Sequence, residues 1–276
     1  MLRKSLIDIE RSIQTTYRKT IWAKFIKAIK TYNLVEEGDV IGLAISGGKD
    51  SLLLAKLFQL LHKYSEVSFE LRFISMNPGF NKANLDQLKT NCALLEIPVK
   101  IKDSNVFHVA NKLAGENPCY LCARMRRGFL YNFAKEEGCN KLALGHHFDD
   151  VVETTMLNIF YGSQFKTMVP KIKAENFLNM ELIRPLVLIK ESDIIRFTNN
   201  AGLKTMACGC DVASRELGSK RAVMKQMLKE LKKENPNVDQ SIFTSATNVN
   251  LNQVYGYEID GERISFNEIY RREKKT

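Results

Sequence analysis

Residues Val40-Ile41-Gly42-Leu43-Ala44-Ile45-Ser46-Gly47-Gly48-Lys49-Asp50-Ser51 decide the fold, and Leu52-Leu53-Leu54-Ala55-Lys56-Leu57 continue them. An apolar run stops at two adjacent glycines and resumes with helical periodicity, which predicts a buried strand, a tight turn and a helix. A junction of this kind cradles phosphate. The glycines let the backbone approach an anion, the amides that follow are the unpaired donors of a helix start, and the helix dipole adds partial positive charge. Lys49 supplies a full charge, and Ser46 and Ser51 supply hydroxyl donors. Only two glycines precede the lysine, so the spacing is not that of a Gly-x-x-x-x-Gly-Lys loop. The competing structural reading is a strand-to-helix turn whose Ser and Asp merely cap the helix.

Downstream, a helix over residues 51–63 leads to an apolar strand at Phe69 to Met76. A helix over 82–95 and a short strand at Ile97 to Ile101 follow. Strands alternating with helices predict a doubly wound, mostly parallel α/β sheet with ligands at the carboxyl ends of the strands. Lys141-Leu142-Ala143-Leu144-Gly145 is a further strand. It runs into His146-His147-Phe148-Asp149-Asp150 and a helix from about Val151 to Tyr161, which puts this polar cluster on the same rim as Lys49. Asp50 with Asp150 suits a magnesium ion bridging the phosphates of a ligand, and His146 and His147 suit contacts to that ligand or a substrate. Asp149 has an equal claim as a helix cap.

The 276 residues, 45% hydrophobic and 26% charged, are ordinary for a soluble globular protein with one good core and room for a smaller unit. No apolar run approaches the ~20 residues that span a bilayer, and Met1 to Ser5 lead into no signal-peptide core. A cytoplasmic protein without membrane attachment is expected. The net charge of +10 favours a polyanionic partner, and its placement sharpens this. Residues 1–30 hold eight Lys or Arg against two acids, and residues 215–234 hold seven against three. Both stretches read as amphipathic helices. Trp22, Phe25, Ile26 and Ile29 face inward in the first, and Val223, Met224, Met227, Leu228 and Leu231 in the second, with lysines outward. Each alone reads as a solvated face; two flanking a phosphate site point to RNA. Residues 238–252 predict another helix, and 253–276 a weak strand or hairpin with a frayed basic tail.

Six cysteines in such a chain point to metal or redox chemistry rather than disulfides. Cys92, in a helical pattern, and Cys139, beside Gly138, read as small buried hydrophobes. Cys119-Tyr120-Leu121-Cys122 opens a helix, where thiolates are favoured, and Arg124, Arg126 and Arg127 surround it with positive charge. Cys208-Gly209-Cys210 lies 86 residues after Cys122. Structural zinc on Cys119, Cys122, Cys208 and Cys210, or a persulfide or disulfide relay between Cys119 or Cys122 and Cys208, are the alternatives open at this point.

Ser46-Gly47-Gly48-Lys49-Asp50-Ser51 resembles the Ser-Gly-Gly-x-Asp-Ser signature of the PP-loop ATP pyrophosphatases. With Cys119-x-x-Cys122-x-Arg124-x-Arg126-Arg127-Gly128 and Gly145-His146-His147-x-Asp149-Asp150, the chain resembles the tRNA 2-thiocytidine synthetase (TtcA) family. The resemblance implies an adenine nucleotide alpha hydrolase-like PP-loop fold with added helices at both ends. It divides the chain into a basic helical segment over 1–38, an ATP pyrophosphatase domain with an iron–sulfur site over 39–212, and a basic helical segment and tail over 213–276. The implied activity is ATP-dependent thiolation of tRNA. The C2 oxygen of cytidine 32 in the anticodon loop is adenylated and replaced by sulfur, with release of AMP and pyrophosphate.

By the same resemblance Ser46, Gly47, Gly48, Lys49, Asp50, Ser51, Gly145, His146 and Asp150 hold ATP, and Asp50 and Asp150 hold Mg²⁺. Cys119, Cys122 and Cys208 hold a [4Fe–4S] cluster, with Cys210 the alternative third ligand because the family's Pro-Cys-x-x-Cys is one residue shorter here. Cys119, Cys122, Cys208 and Asp50 are the implied catalytic residues. The implied partners are tRNA and a cysteine desulfurase or other sulfide source, and a homodimer is compatible. Among PP-loop enzymes, 2-thiouridine and lysidine synthetases are the alternatives.

Overall fold

The structure, a computed structural model, describes residues 4–106, 118–206 and 217–273, without the side chains of 118–123, 217–219, 272 and 273. Its centre is a six-stranded sheet in the order β3-β2-β1-β4-β6-β5. The strands are β1 (Val40–Ala44), β2 (Glu70–Asn77), β3 (Val99–Asp103), β4 (Lys141–Ala143), β5 (Lys171–Lys173) and β6 (Glu181–Ile183). All neighbours pair in parallel except β5, which runs antiparallel to β6 at the edge. This is the expected doubly wound, mostly parallel sheet.

The period of two explains why both faces of the sheet are apolar. Leu43, Phe73, Ala143 and Ile183 enter one core cluster, while their chain neighbours Ala44, Ile74, Leu142 and Leu182 enter another. On the first face lie α1 (Leu6–Gln14), α2 (Ala23–Thr31), α3 (Lys49–Tyr64), α4 (Lys82–Leu94) and α7 (Glu191–Ala201); on the second lies α5 (Pro118–Glu136). A third cluster joins Phe148, Val152 and Met156 of α6 (Phe148–Gly162) to Met224 and Leu228 of α8 (Leu217–Glu234). Phe148 also stacks on Phe243 of α9 (Val238–Ser245), with ring centroids 4.9 Å apart.

Several expectations are corrected at the two ends. The N-terminal basic stretch is two helices joined by a π-helical turn over Arg18–Trp22, and its inward residues Ile9, Ile13, Ile21 and Phe25 are fully buried in the main core. In α8 the apolar stripe is narrower than expected. Met224 and Leu228 are buried, but Val223 and Leu231 are 44% and 43% exposed, because α8 packs mainly along α6 and α9. The tail beyond residue 253 is a hairpin of β7 (Gly256–Ile259) and β8 (Glu262–Ser265), followed by α10 (Phe266–Glu273) rather than frayed chain. Asp260 and Gly261 both have positive φ, as a tight Asp-Gly hairpin requires. The Ser265 hydroxyl and amide both donate to the Glu268 carboxylate, the start signal that marks α10.

Candidate active site

The strand order reverses direction between β1 and β4, so the crevice beyond their carboxyl ends is where a doubly wound sheet binds its ligand. The loop leaving β1 carries Ser46 to Gly48, and the loop leaving β4 carries Leu144 to His147. A cleft of ≈ 350 Å³ opens there. It is lined by Ala44, Ser46, Asp50 and Ser51, by Leu142, Leu144, Gly145, His146 and Asp150, and by Arg126, Arg127 and Leu130 of α5.

The β1 loop is stitched by its own serines. The Ser46 amide donates to Ser51 Oγ at 3.2 Å, and the Ser51 hydroxyl donates to the Gly48 carbonyl at 3.0 Å. Ser51 is therefore buried as scaffold, whereas Ser46 is exposed to the cleft. Gly48 stands at the cap position of α3 and has no side chain to satisfy the first amides, so they remain a donor set for an anion. Gly47 needs its left-handed φ of +81°, and a Cβ there would meet Met206 Sδ at 2.5 Å. Gly145 serves a different purpose. A Cβ on it would lie 3.1–3.2 Å from the Asp50 backbone carbon and Cβ and the Ser51 nitrogen, so its absence lets the two loops close on each other.

Lys49, Asp50, His146 and Asp150 sit in one electrostatic network, joined by residues that the sequence did not single out. Lys49 Nζ is 3.2 Å from Asp50 and 3.0 Å from Glu191, and Glu191 is also 3.0 Å from Lys225 of α8. Burial alone would lower the Lys49 pKa, but the two carboxylates reverse this and hold it above its ordinary value. Burial likewise opposes ionisation of Glu191, yet its bonds to Lys225 and Lys49 prevail and bring it down to about 2. Arg221 reaches Asp150 at 2.8 Å, and the buried Glu153 lies 3.6 Å from both Arg221 and Lys225. Burial raises the Asp50 pKa, and its Oδ1 is buried without a hydrogen-bond partner among the described residues.

The histidines divide their labour. His147 caps α6 and closes a box with Asp150, whose carboxylate accepts the His147 amide at 3.0 Å. Asp149 does not cap α6; it accepts the Glu191 amide at 2.6 Å and so fixes the start of α7. His146 lines the cleft, and burial, assisted by Arg184, Arg221 and Arg127, pushes its pKa down to about 4 despite Asp150. The imidazole is neutral at pH 7. Arg184 is buried, with Nε unpartnered among the described residues, and burial beside Arg127 lowers its pKa to about 10.

Cys92 and Cys139 are free and buried, and burial pushes both thiols up to about 11, in keeping with an inert packing role. The side chains of Cys119 and Cys122, and the whole of Cys208 and Cys210, lie outside the described residues. Their chain neighbours are informative. Arg126, one turn beyond Cys122 on α5, walls the cleft. Met206, two residues before Cys208, donates its amide to the Gly47 carbonyl at 3.2 Å. Among the described residues no three His, Cys, Asp or Glu converge on a metal position, and no helix is long and apolar enough to cross a membrane.

The PP-loop domain model matches residues 17–228. A tRNA-cytidine(32) 2-sulfurtransferase of Geotalea uraniireducens is 37% identical over 225 residues, covering 81% of this chain and 88% of the relative. The chain belongs to the tRNA-cytidine(32) 2-sulfurtransferase family of PP-loop proteins. A member from Vibrio parahaemolyticus, also 37% identical, aligns over 93% of this chain and 84% of its own. Among solved structures, the U34-tRNA thiolase NcsA from Methanococcus maripaludis with its [4Fe-4S] cluster superposes with a TM-score of 0.66. It is 25% identical and covers 82% of this chain and 76% of that one.

Proposed function

We infer that this protein is an ATP-dependent tRNA sulfurtransferase that converts cytidine 32 of the anticodon loop to 2-thiocytidine. The observation that carries the reading is the shared cleft. Ser46, Asp50 and Ser51 of the β1–α3 turn line it together with Arg126 and Arg127, on the helix that begins with Cys119-x-x-Cys122. The turn is also bonded to Met206, at the approach to Cys208.

The chemistry explains why both halves are needed. A ring carbonyl oxygen leaves poorly, so the cytidine oxygen attacks the α-phosphorus of ATP and pyrophosphate departs. Sulfide then adds at C2 and AMP carries the oxygen away. The first amides of α3 would hold the phosphates, and Lys49 would exchange Glu191 for phosphate oxygens as charge builds up in the transition state. Asp50 fits a Mg²⁺ ion through its unpartnered Oδ1, whereas Asp150 would first have to release Arg221. Neutral His146 can hydrogen-bond to nucleotide or base without adding charge.

Cys119, Cys122 and Cys208, or Cys210 in its place, are a thiolate set suited to a [4Fe–4S] cluster, and flanking arginines offset the negative charge that such a set accumulates. Such a cluster, held by three cysteines, would supply an open iron for the incoming sulfide. A cysteine desulfurase or other sulfide source, a cytoplasmic location and a homodimer belong to the same proposal. The test is anaerobic protein with tRNA, ATP and sulfide. Pyrophosphate release together with 2-thiocytidine in digested tRNA is expected. A colourless protein carrying stoichiometric zinc would remove the cluster, and no pyrophosphate release from cluster-loaded protein would remove the enzymatic reading.

A further inference from the structure

The last turn of α6 and the loop after it form a surface feature that neither the cleft nor the core uses. Residues 159–166, Ile-Phe-Tyr-Gly-Ser-Gln-Phe-Lys, are all exposed, with Phe160 at 56%, Tyr161 at 49% and Phe165 at 53%. Large apolar side chains rarely cluster on a surface without a partner.

The loop is held in shape rather than loose. The Asn158 side chain donates to the Lys166 carbonyl at 2.7 Å, and the Gln164 amide donates to the Asn158 carbonyl at 3.0 Å. Ser163 takes the left-handed conformation with φ 50°, and the Thr155 and Thr167 hydroxyls meet at 2.8 Å below the loop. A tied loop presents its aromatics with little ordering cost on binding.

Charge identifies the occupant. From residue 154 to residue 174 the chain has no Asp or Glu, and Lys166 lies on the exposed loop itself, while Lys171 of β5 is paired with Glu36 and Glu181 away from it in sequence. Lys220, near the start of α8, places its ammonium 5.0 Å from the centroid of the Tyr161 ring. Exposed aromatic faces beside Lys166 and Lys220, with no acid in the loop, fit unpaired nucleic-acid bases on a charged backbone, since every base stacks and every phosphate attracts. A self-association face would gain nothing from a one-signed charge. The same helix α6 is capped by His147, next to His146 of the cleft, and its 15 residues span roughly 22 Å, a distance that a tRNA loop and its stem can bridge.

We propose that residues 159–166, with Lys220, are a tRNA docking surface on which Phe160, Tyr161 and Phe165 stack against unpaired bases flanking the nucleotide in the cleft. This rests on the thiolation reading above and adds where the RNA is gripped.

The test compares full-length wild type with F160S/F165S and, separately, K166Q/K220Q, none of which alters the cleft. Affinity for unmodified tRNA would be measured against salt, ATP affinity in parallel, and molecular mass by light scattering. F160S/F165S is expected to weaken tRNA binding by roughly tenfold or more with ATP affinity and mass unchanged. K166Q/K220Q should flatten the salt dependence of log K by about one to two units. Wild-type tRNA affinity in both variants overturns the proposal, as does a change of mass that accounts for the loss, which would make this a face between protein copies. Failure of the wild-type protein to bind tRNA at all would instead overturn the functional reading on which it stands.

Discussion

Gly145 contributes to the site by having no side chain. With Asp50 and Ser51 atoms within 3.1–3.2 Å of where its Cβ would lie, G145A must push the β4 loop off the start of α3, and the backbone there has little freedom to give way. We expect G145A to weaken ATP binding by roughly tenfold while leaving the melting temperature within a few degrees, because the strain falls on the rim and not on the core. Unchanged ATP affinity by calorimetry would show that the two loops need not touch. Much of the site at this scale is legible in the sequence, since a glycine pair, a lysine and an aspartate at fixed spacing carry their chemistry locally. Glu191, Arg184, Arg221 and Met206 are not legible in this way. Their roles exist only because α7, β6, α8 and the chain before Cys208 fold back onto the rim from far away in sequence.

At the level of elements, α6, α7 and α8 meet through charges around the cleft, and two of those groups give separable acid responses. The folded pKa of His146 is depressed from 6.5 to about 4, so the stability tied to its neutral form is present above pH 6.5 and is lost as pH falls toward 4. Glu191 is depressed from 4.5 to about 2, so its contribution is present above pH 4.5 and is lost between 4.5 and 2. H146Q should flatten the loss of stability in the upper window only, and E191Q in the lower one only, in chemical denaturation followed against pH. Identical pH profiles for both variants and wild type would mean that neither group differs between the folded and unfolded chains. The helices themselves are visible as periodicity, including α8 with its basic face. What periodicity overstates is how much of that stripe is covered, since Val223 and Leu231 remain exposed where α6 and α9 end their contact.

In the molecule as a whole, the basic N-terminal stretch is part of the main core, even though the PP-loop match begins only at residue 17 and leaves α1 outside it. Its charge suggests an appendage; its buried isoleucines and Phe25 make it a layer on the sheet. The sharpest expression of this is Lys56 of α3, 2% exposed, whose ammonium is 2.6 Å from Glu10 of α1 and 3.4 Å from the Leu95 carbonyl. Removing one member of such a pair strands a charge, whereas replacing the buried cation by an apolar side chain of similar length strands little, because Glu10 is partly exposed. E10Q should therefore cost about 3 kcal/mol, while K56M costs under about 1.5 kcal/mol, and E10Q/K56M should resemble K56M alone. Urea unfolding of the four proteins checks the order. Because α1 shares one core with α3 and the sheet, each should unfold in a single transition with a common m-value. An E10Q protein as stable as wild type, or a separate early transition reporting the N-terminal helices, would mean that this segment is docked on the domain instead of built into it.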